Sequence, residues 1–247
     1  MIAEFLAGFP PRMSNVYRAT LTVIWRYACA EGLVDKTAPG PGDTIPRAAT
    51  VQRKPLTMEG FEAIRGQAPE WLRRAMDLAL ESLQGRTELS KAKREHLDGD
   101  IWYIVRQKTE SWGVSARMRV HVWPELRKCL LACQNLPGKK GVPIASPFIV
   151  HKEPQRLKAK KDQSKRREHH TQVLPEDLTR AFAAARDACE MFQAMPPEER
   201  PTFHEIRALG ADRKRKAGWS TEAIQLLMTH TDEEMTEPPW TDVAAPK

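Results

Sequence analysis

The chain has 247 residues, with 39 Lys and Arg against 32 Asp and Glu, a formal net charge of +7 and 41% hydrophobic residues. Folding at this length buries about 75% of the unfolded surface, enough for one large domain or two small ones. A charged fraction of 29%, with a good supply of Leu, Ile, Phe and Trp, excludes wholesale disorder. No apolar run reaches the roughly 18–20 residues of a membrane span, and the opening MIAEFLAGFPPRMSN lacks a basic stretch followed by an apolar core. The expectation is a cytoplasmic protein without membrane contact. Cys29, Cys129, Cys133 and Cys189 form no CxxC pair and none stands beside His at a zinc spacing. They read as reduced thiols, and no metal is expected.

Residues 13–34 read as a helix, because Val16, Thr20, Ile24 and Tyr27 recur at helical spacing, with Ser14 as its cap and Gly32 as its stop. The stretch from Asp35 to Thr50 is rich in Pro and Gly, shows no period and reads as an interdomain linker. Thr57 then caps a helix carrying Phe61 and Ile64. A further helix runs from about Glu70 to Leu83, with Leu72, Met76, Leu80 and Leu83 on one face. Ile101 to Gln107 is β-rich and Val114 to Val122 alternates, so the two form a hairpin whose exposed turn is Lys108 to Gly113. From Pro175 onward the pattern is helical: near 175–193, from His204, and from Thr221 to His230. The expected fold class is mainly α with a small antiparallel β-sheet (α+β).

The basic excess is local. Between His151 and His170 stand eight Lys and Arg against three acids, a surplus of +5. Lys158, Lys160, Lys161, Lys165, Arg166 and Arg167 from this window are candidate DNA-phosphate ligands. Arg213-Lys214-Arg215-Lys216 forms a second basic cluster. A solvated segment without a partner is the competing reading of both, and composition alone does not separate the two.

Four ordered motifs carry a family resemblance. Pro201-Thr202-Phe203-His204-Glu205-Ile206-Arg207 resembles the His-x-x-Arg box of the tyrosine recombinases, in particular the lambda-type phage integrases. Ile224 to His230 followed by Met235-Thr236 resembles their third box, Gln107-Lys108-Thr109 their strand turn, and Leu83 to Leu89 their first arginine box. The resemblance implies a catalytic domain over 51–247, a linker at 37–50 and, at 1–36, a remnant of the helical core-binding domain. It also implies site-specific recombination of double-stranded, attachment-type DNA, as in DNA integration by a prophage enzyme, with possible homo-oligomers on the DNA and no cofactor.

Metal-free cleavage of a phosphodiester needs a nucleophile, charge stabilisation on the non-bridging oxygens and an acid for the leaving oxygen. Guanidinium forks suit the oxygens. A lysine on a mobile turn can protonate the leaving group, and histidines can move the nucleophile's proton. The resemblance gives these roles to Lys108 as acid, to His204 and Arg207 as the second box and to His230 as the third, with Glu88 supporting the first.

Two departures stand out. Three residues before Glu88, where the family has its first arginine, stands Gly85, and Arg86 follows one position later. A one-residue shift turns a helical side chain through about 100°. Either Arg86 reaches the phosphate through a local distortion or the first arginine is absent; the second reading is favoured. The nucleophilic tyrosine should lie three or four residues after Met235-Thr236, but Pro238, Pro239 and Trp240 stand there, and the only tyrosines are Tyr17, Tyr27 and Tyr103. The expected function is therefore that of a degenerate integrase which binds DNA. Its rivals are an inactive DNA-occupying regulator or interaction protein and a subunit using a tyrosine supplied in trans.

Overall fold

The computed structural model describes residues 2–47, 53–105, 117–138, 141–154, 167–228 and 241–243. The chain forms two compact units, Met1–Gln52 and Arg53–Lys247.

In the first unit α1 (Ile2–Ala7) packs on α2 (Pro11–Ala30), with the Phe9 and Tyr17 ring centroids 4.6 Å apart. Helix α2 starts earlier than a Ser14 cap would place it. Pro11 occupies its first position, where a missing N–H costs nothing and φ is already helical, and Ser14 is buried inside the helix. Its end is as the sequence suggests: Gly32 has φ +72, and Leu33 N donates to Ala28 O at 2.9 Å.

The stretch read as a linker is not loose. Arg18 donates to Thr44 O (2.8 Å) and Gly42 O (2.6 Å), and the Asn15 side chain exchanges two hydrogen bonds with the Arg47 backbone. Such side-chain-to-backbone ties leave no periodicity to read. They take the face of α2 that carries Asn15, Arg18, Thr22 and Trp25. Consequently the stripe of Val16, Val23, Ile24 and Tyr27, apolar by sequence, is at least half exposed.

The second unit is built around α4 (Glu70–Ser82), whose Leu72, Ala75, Met76, Leu78 and Ala79 are buried. It follows α3 (Met58–Gln67), which Thr57 caps by accepting a hydrogen bond from Gly60 N at 3.1 Å. Beyond α4 come α5 (Arg86–Lys91), the strands β1 (Leu97–Asp98), β2 (Ile101–Val105) and β3 (Arg117–His121), and α6 (Pro124–Gln134). Strands β1 to β3 are antiparallel, with Ile101 opposite His121 and Val105 opposite Arg117, so the expected hairpin pairs as read. Its turn, with Lys108, lies outside the described residues. One strand escaped the sequence reading: β4 (Thr241–Val243) lies parallel to β3, Met118 opposite Thr241. Its partner is supplied by a distant strand, which a three-residue pattern cannot announce.

The remaining helices are α7 (Pro175–Asp187), α8 (Glu190–Gln193), α9 (Glu205–Lys216) and α10 (Thr221–Leu227). The single helix expected near 175–193 breaks at Cys189, which is extended (φ −88, ψ 125), and the break lets both Cys189 and Phe192 reach the core.

Helices α9 and α4 cross at Gly210. A Cβ there would lie 2.3 Å from Leu80 O and 2.5 Å from Leu83 Cδ2. Gly210→Ala is expected to push the helices apart and destabilise the unit by about 1–3 kcal/mol or more. Gly66→Ala on α3, where a Cβ meets nothing within 4 Å, should be neutral or stabilising. Thermal midpoints followed by circular dichroism decide it; equal midpoints would show that the crossing can yield.

Candidate functional site

Helix α4 ends on Leu83, a non-glycine residue in the left-handed region (φ 59, ψ 18). That backbone costs roughly 1–2 kcal/mol, and the fully buried Leu83 side chain holds it in place. The turn it makes reverses the chain into α5. Within the turn, the buried Gln84 amide donates to Ser82 O (3.1 Å) and to Leu227 O (3.0 Å) at the end of α10.

Helix α9 places His204 at its N-terminal boundary, exposed, and Arg207 one turn further on. Arg207 Nη2 donates to Met228 O. The two last described carbonyls of the third box are therefore held by the first-box turn and by the second-box arginine. Three motifs far apart in sequence meet here.

Position 85 belongs to this meeting point. A Cβ on Gly85 would lie 4.0 Å from Arg207 Nη1 and 2.7 Å from Glu88 Oε2. Arg86 does not join it: its Nη1 donates to Thr179 Oγ1 on α7 at 2.7 Å. The described part of the site thus offers one guanidinium, partly engaged with a carbonyl, and one exposed imidazole on the same helix face. Such a pair can present N–H donors to the oxygens of an anion. Lys108 and His230 lie outside the described residues, as do Lys158, Lys160, Lys161, Lys165 and Arg166. Arg167 is described and is tied down, donating to Asp177 Oδ2 at 2.8 Å and to Gln172 O.

The tyrosines are dispersed. Tyr17 and Tyr27 belong to α2, and Tyr103 on β2 lines a hollow of about 250 Å³ with Glu88, Lys91, Lys93 and His96. Among the described residues no group of His, Cys, Asp and Glu has the makings of a metal site.

The second basic cluster does not present all four of its charges to solvent. It forms the last turn of α9, and Lys214 is buried there, its Nζ 2.9 Å from Glu81 Oε1 and 4.2 and 4.3 Å from the Trp123 and Trp219 ring centroids. Burial pushes the Lys214 ammonium below its ordinary pKa, against the pull of Glu81. Lys216 and Arg215 pair with Asp212 on their own helix. A run of four like charges on a helix turns through all its faces, and one of them must face inward. Gln84 lies inside the first box but at no position to which the resemblance gives a role, and Glu81 lies outside the motifs; a lone carboxylate on the apolar face of α4 was the available signal for Glu81.

No family model matches the chain. It is 27% identical to the integrase of Escherichia phage HK022 over 240 residues, covering 95% of this chain and 59% of that protein. The integrase of Enterobacteria phage 434 is also 27% identical, over 251 residues, with 95% and 60% covered. The chain spans about three fifths of the length of these relatives. Among solved structures, a lambda integrase (75–356) dimer bound to a COC′ core site superposes with a TM-score of 0.73 at 22% identity, covering 96% of this chain and 80% of that one. A lambda integrase tetramer bound to a Holliday junction gives 0.72 at 22% identity, with 96% and 65% covered. The Tn1549 transposon integrase gives 0.60 at 16% identity, with 93% and 74% covered. The chain is thus similar in sequence to two phage integrases over most of its length and shares the fold of lambda integrase.

Proposed function

We propose that the chain binds double-stranded, attachment-type DNA as a degenerate phage integrase, in the company of further copies, and does not cut that DNA by itself. The observation that carries this reading is the juxtaposition of Arg207 with a glycine at the position of the first arginine, while Arg86 is spent on Thr179. Among the described residues the site keeps donors for a phosphate and has no second arginine at position 85 beside Arg207, and the sequence has no tyrosine after Met235-Thr236. The lambda integrases that share the fold are bound to a core site as dimers and to a Holliday junction as a tetramer, which supports DNA as the ligand and more than one copy upon it. By the resemblance, Lys108 and His230 complete the proposed site, which requires neither metal nor cofactor. The proposed setting is the cytoplasm; no described helix is long and apolar enough to cross a membrane.

Binding should weaken steeply with salt, each neutralised phosphate adding about 0.9 to the slope of log affinity against log salt. Nicked suicide duplexes should give no covalent adduct. A protein–DNA adduct mapping to Tyr17, Tyr27 or Tyr103 would overturn the non-cutting reading, and salt-insensitive or absent binding would overturn the DNA reading. An adduct that forms only when a full-length integrase is added would favour a tyrosine supplied in trans.

A further inference from the structure

The segment that carries Lys158, Lys160, Lys161, Lys165 and Arg166 is flanked by described chain on both sides, and both flanks close on one carboxylate. Asp177, near the start of α7, has a side chain only 6% exposed. Its Oδ2 accepts from Lys152 Nζ at 3.1 Å, from Arg167 Nη2 at 2.8 Å and from Leu174 N at 3.2 Å, while Oδ1 accepts from Arg180 Nη2 at 2.8 Å. One cation would neutralise it. Of the three present, one comes from each flank of the basic segment.

The backbone repeats the closure. Lys152 N donates to Thr171 O at 3.0 Å, His151 and Gln172 form a β-bridge, and Glu168 N donates to Gln172 Oε1 at 2.9 Å. The closed base is in turn fixed to α5, the helix that follows Gly85. Gln172 Nε2 reaches Ser90 O at 3.4 Å, and Ile149 N donates to Ala92 O at 2.8 Å.

We propose that Asp177 is a positioning residue for DNA binding: it clasps both flanks of the basic segment beside α5 and so sets where the segment's lysines meet phosphates. The proposal rests on the reading that this segment contacts DNA. It also reassigns Arg167, whose guanidinium serves the clasp rather than a phosphate.

Simple charge counting and the clasp predict opposite signs for Asp177→Asn. Deleting a negative charge and releasing Lys152 and Arg167 should tighten DNA binding if the field alone matters. A lost clasp should weaken it several-fold, because the two flanks, no longer held on one carboxylate, must be ordered on binding.

The full chain is assayed on duplex DNA across salt, with trypsin cleavage inside 155–166 and the thermal midpoint measured in parallel. The expected result for Asp177→Asn is weaker binding and faster trypsin nicking. The binding loss should vanish in a background already carrying Lys160→Ala, Lys161→Ala and Lys165→Ala. Lys152→Met, which opens one flank and leaves Arg167 and Arg180 on the carboxylate, provides the same cycle should Asp177→Asn not fold. Unchanged nicking, tighter binding or strictly additive losses would overturn the clasp. Failure of the underlying reading looks different: the wild-type chain would not bind duplex DNA, or the triple lysine variant would bind it as tightly as wild type.

Discussion

Pro239→Tyr by itself is expected to give little cleavage of an attachment-site duplex, whereas adding Gly85→Arg should raise the single-turnover rate on the order of 10²–10³-fold. Position 85 faces Arg207, 4.0 Å from its Nη1, and Arg86 is engaged on α7. Gly85 has an extended backbone (φ −77, ψ 170) that any residue adopts, so the exchange carries no backbone strain. What an arginine there must displace is Glu88 Oε2, 2.7 Å from the new Cβ, the far end of a side chain that can swing and then pair with the incoming guanidinium. Parts of one catalytic unit act non-additively, so the double repair should exceed the product of the two single ones. A tyrosine repair as fast as the double would show that Arg86 leaves Thr179 for the phosphate. If neither repaired protein cuts DNA that it binds, the limit lies elsewhere in the protein or in the substrate offered.

Glu81→Ala is expected to be among the most damaging single changes in the second unit, at about 3–5 kcal/mol, because it strands a buried ammonium. Lys214 would keep the two indoles but lose its carboxylate, and Trp123 Nε1 would lose its 2.6 Å bond to the same oxygen. Replacing both partners, Glu81→Leu with Lys214→Met, should cost far less than Glu81→Ala alone. Urea unfolding of Glu81→Ala, of the double variant and of Glu81→Leu and Lys214→Met singly tests this, and losses for the two single changes that add up to the double's would mean that the pair is not coupled.

The pH dependence has a definite sign. Burial lowers the folded-state pKa of Lys214 below the ordinary 10.5, so the folded protein holds that proton less tightly than the unfolded chain does. The resulting penalty is present below the folded pKa and lifts as pH rises toward 10.5. Glu81→Ala should therefore recover stability relative to wild type as pH is raised into that range.

For Asp177 the sign is the reverse. Burial raises its pKa, but Lys152, Leu174 N and Arg167 outweigh this and hold it below the ordinary carboxylate value of 3.8. Its contribution to stability is present above that value and is lost as pH falls through the folded pKa.

Much of the architecture was legible because it is local. Helix α4 announces itself through Leu72, Met76 and Leu80 on one face, Thr57 caps α3 in the manner its side chain dictates, and Gly32 stops α2 by taking φ +72. The family boxes could be read for a similar reason: reacting groups need particular residue types at fixed spacing on one element, as His204 and Arg207 have on α9. Absences are just as legible, and the missing tyrosine and the glycine at position 85 are properties of the chain alone.

What only the tertiary structure decided is which of the available charges and faces is spent inside. By sequence, Lys214 and Arg167 look like any other phosphate-seeking cation. Folding places an opposing carboxylate, Glu81 or Asp177, within 3 Å of each. The stripe of Val16, Ile24 and Tyr27 recurs at helical spacing by sequence, yet it is exposed and another side of α2 receives the 40–47 segment through hydrogen bonds that leave no pattern. Gln84 has no assigned role within the first box and becomes part of the site because Leu227 O, 143 residues further along, arrives beside it. Periodicity and spacing report interactions along one element, whereas partners 10 to 143 residues apart on different elements are chosen by packing, and no local pattern encodes them.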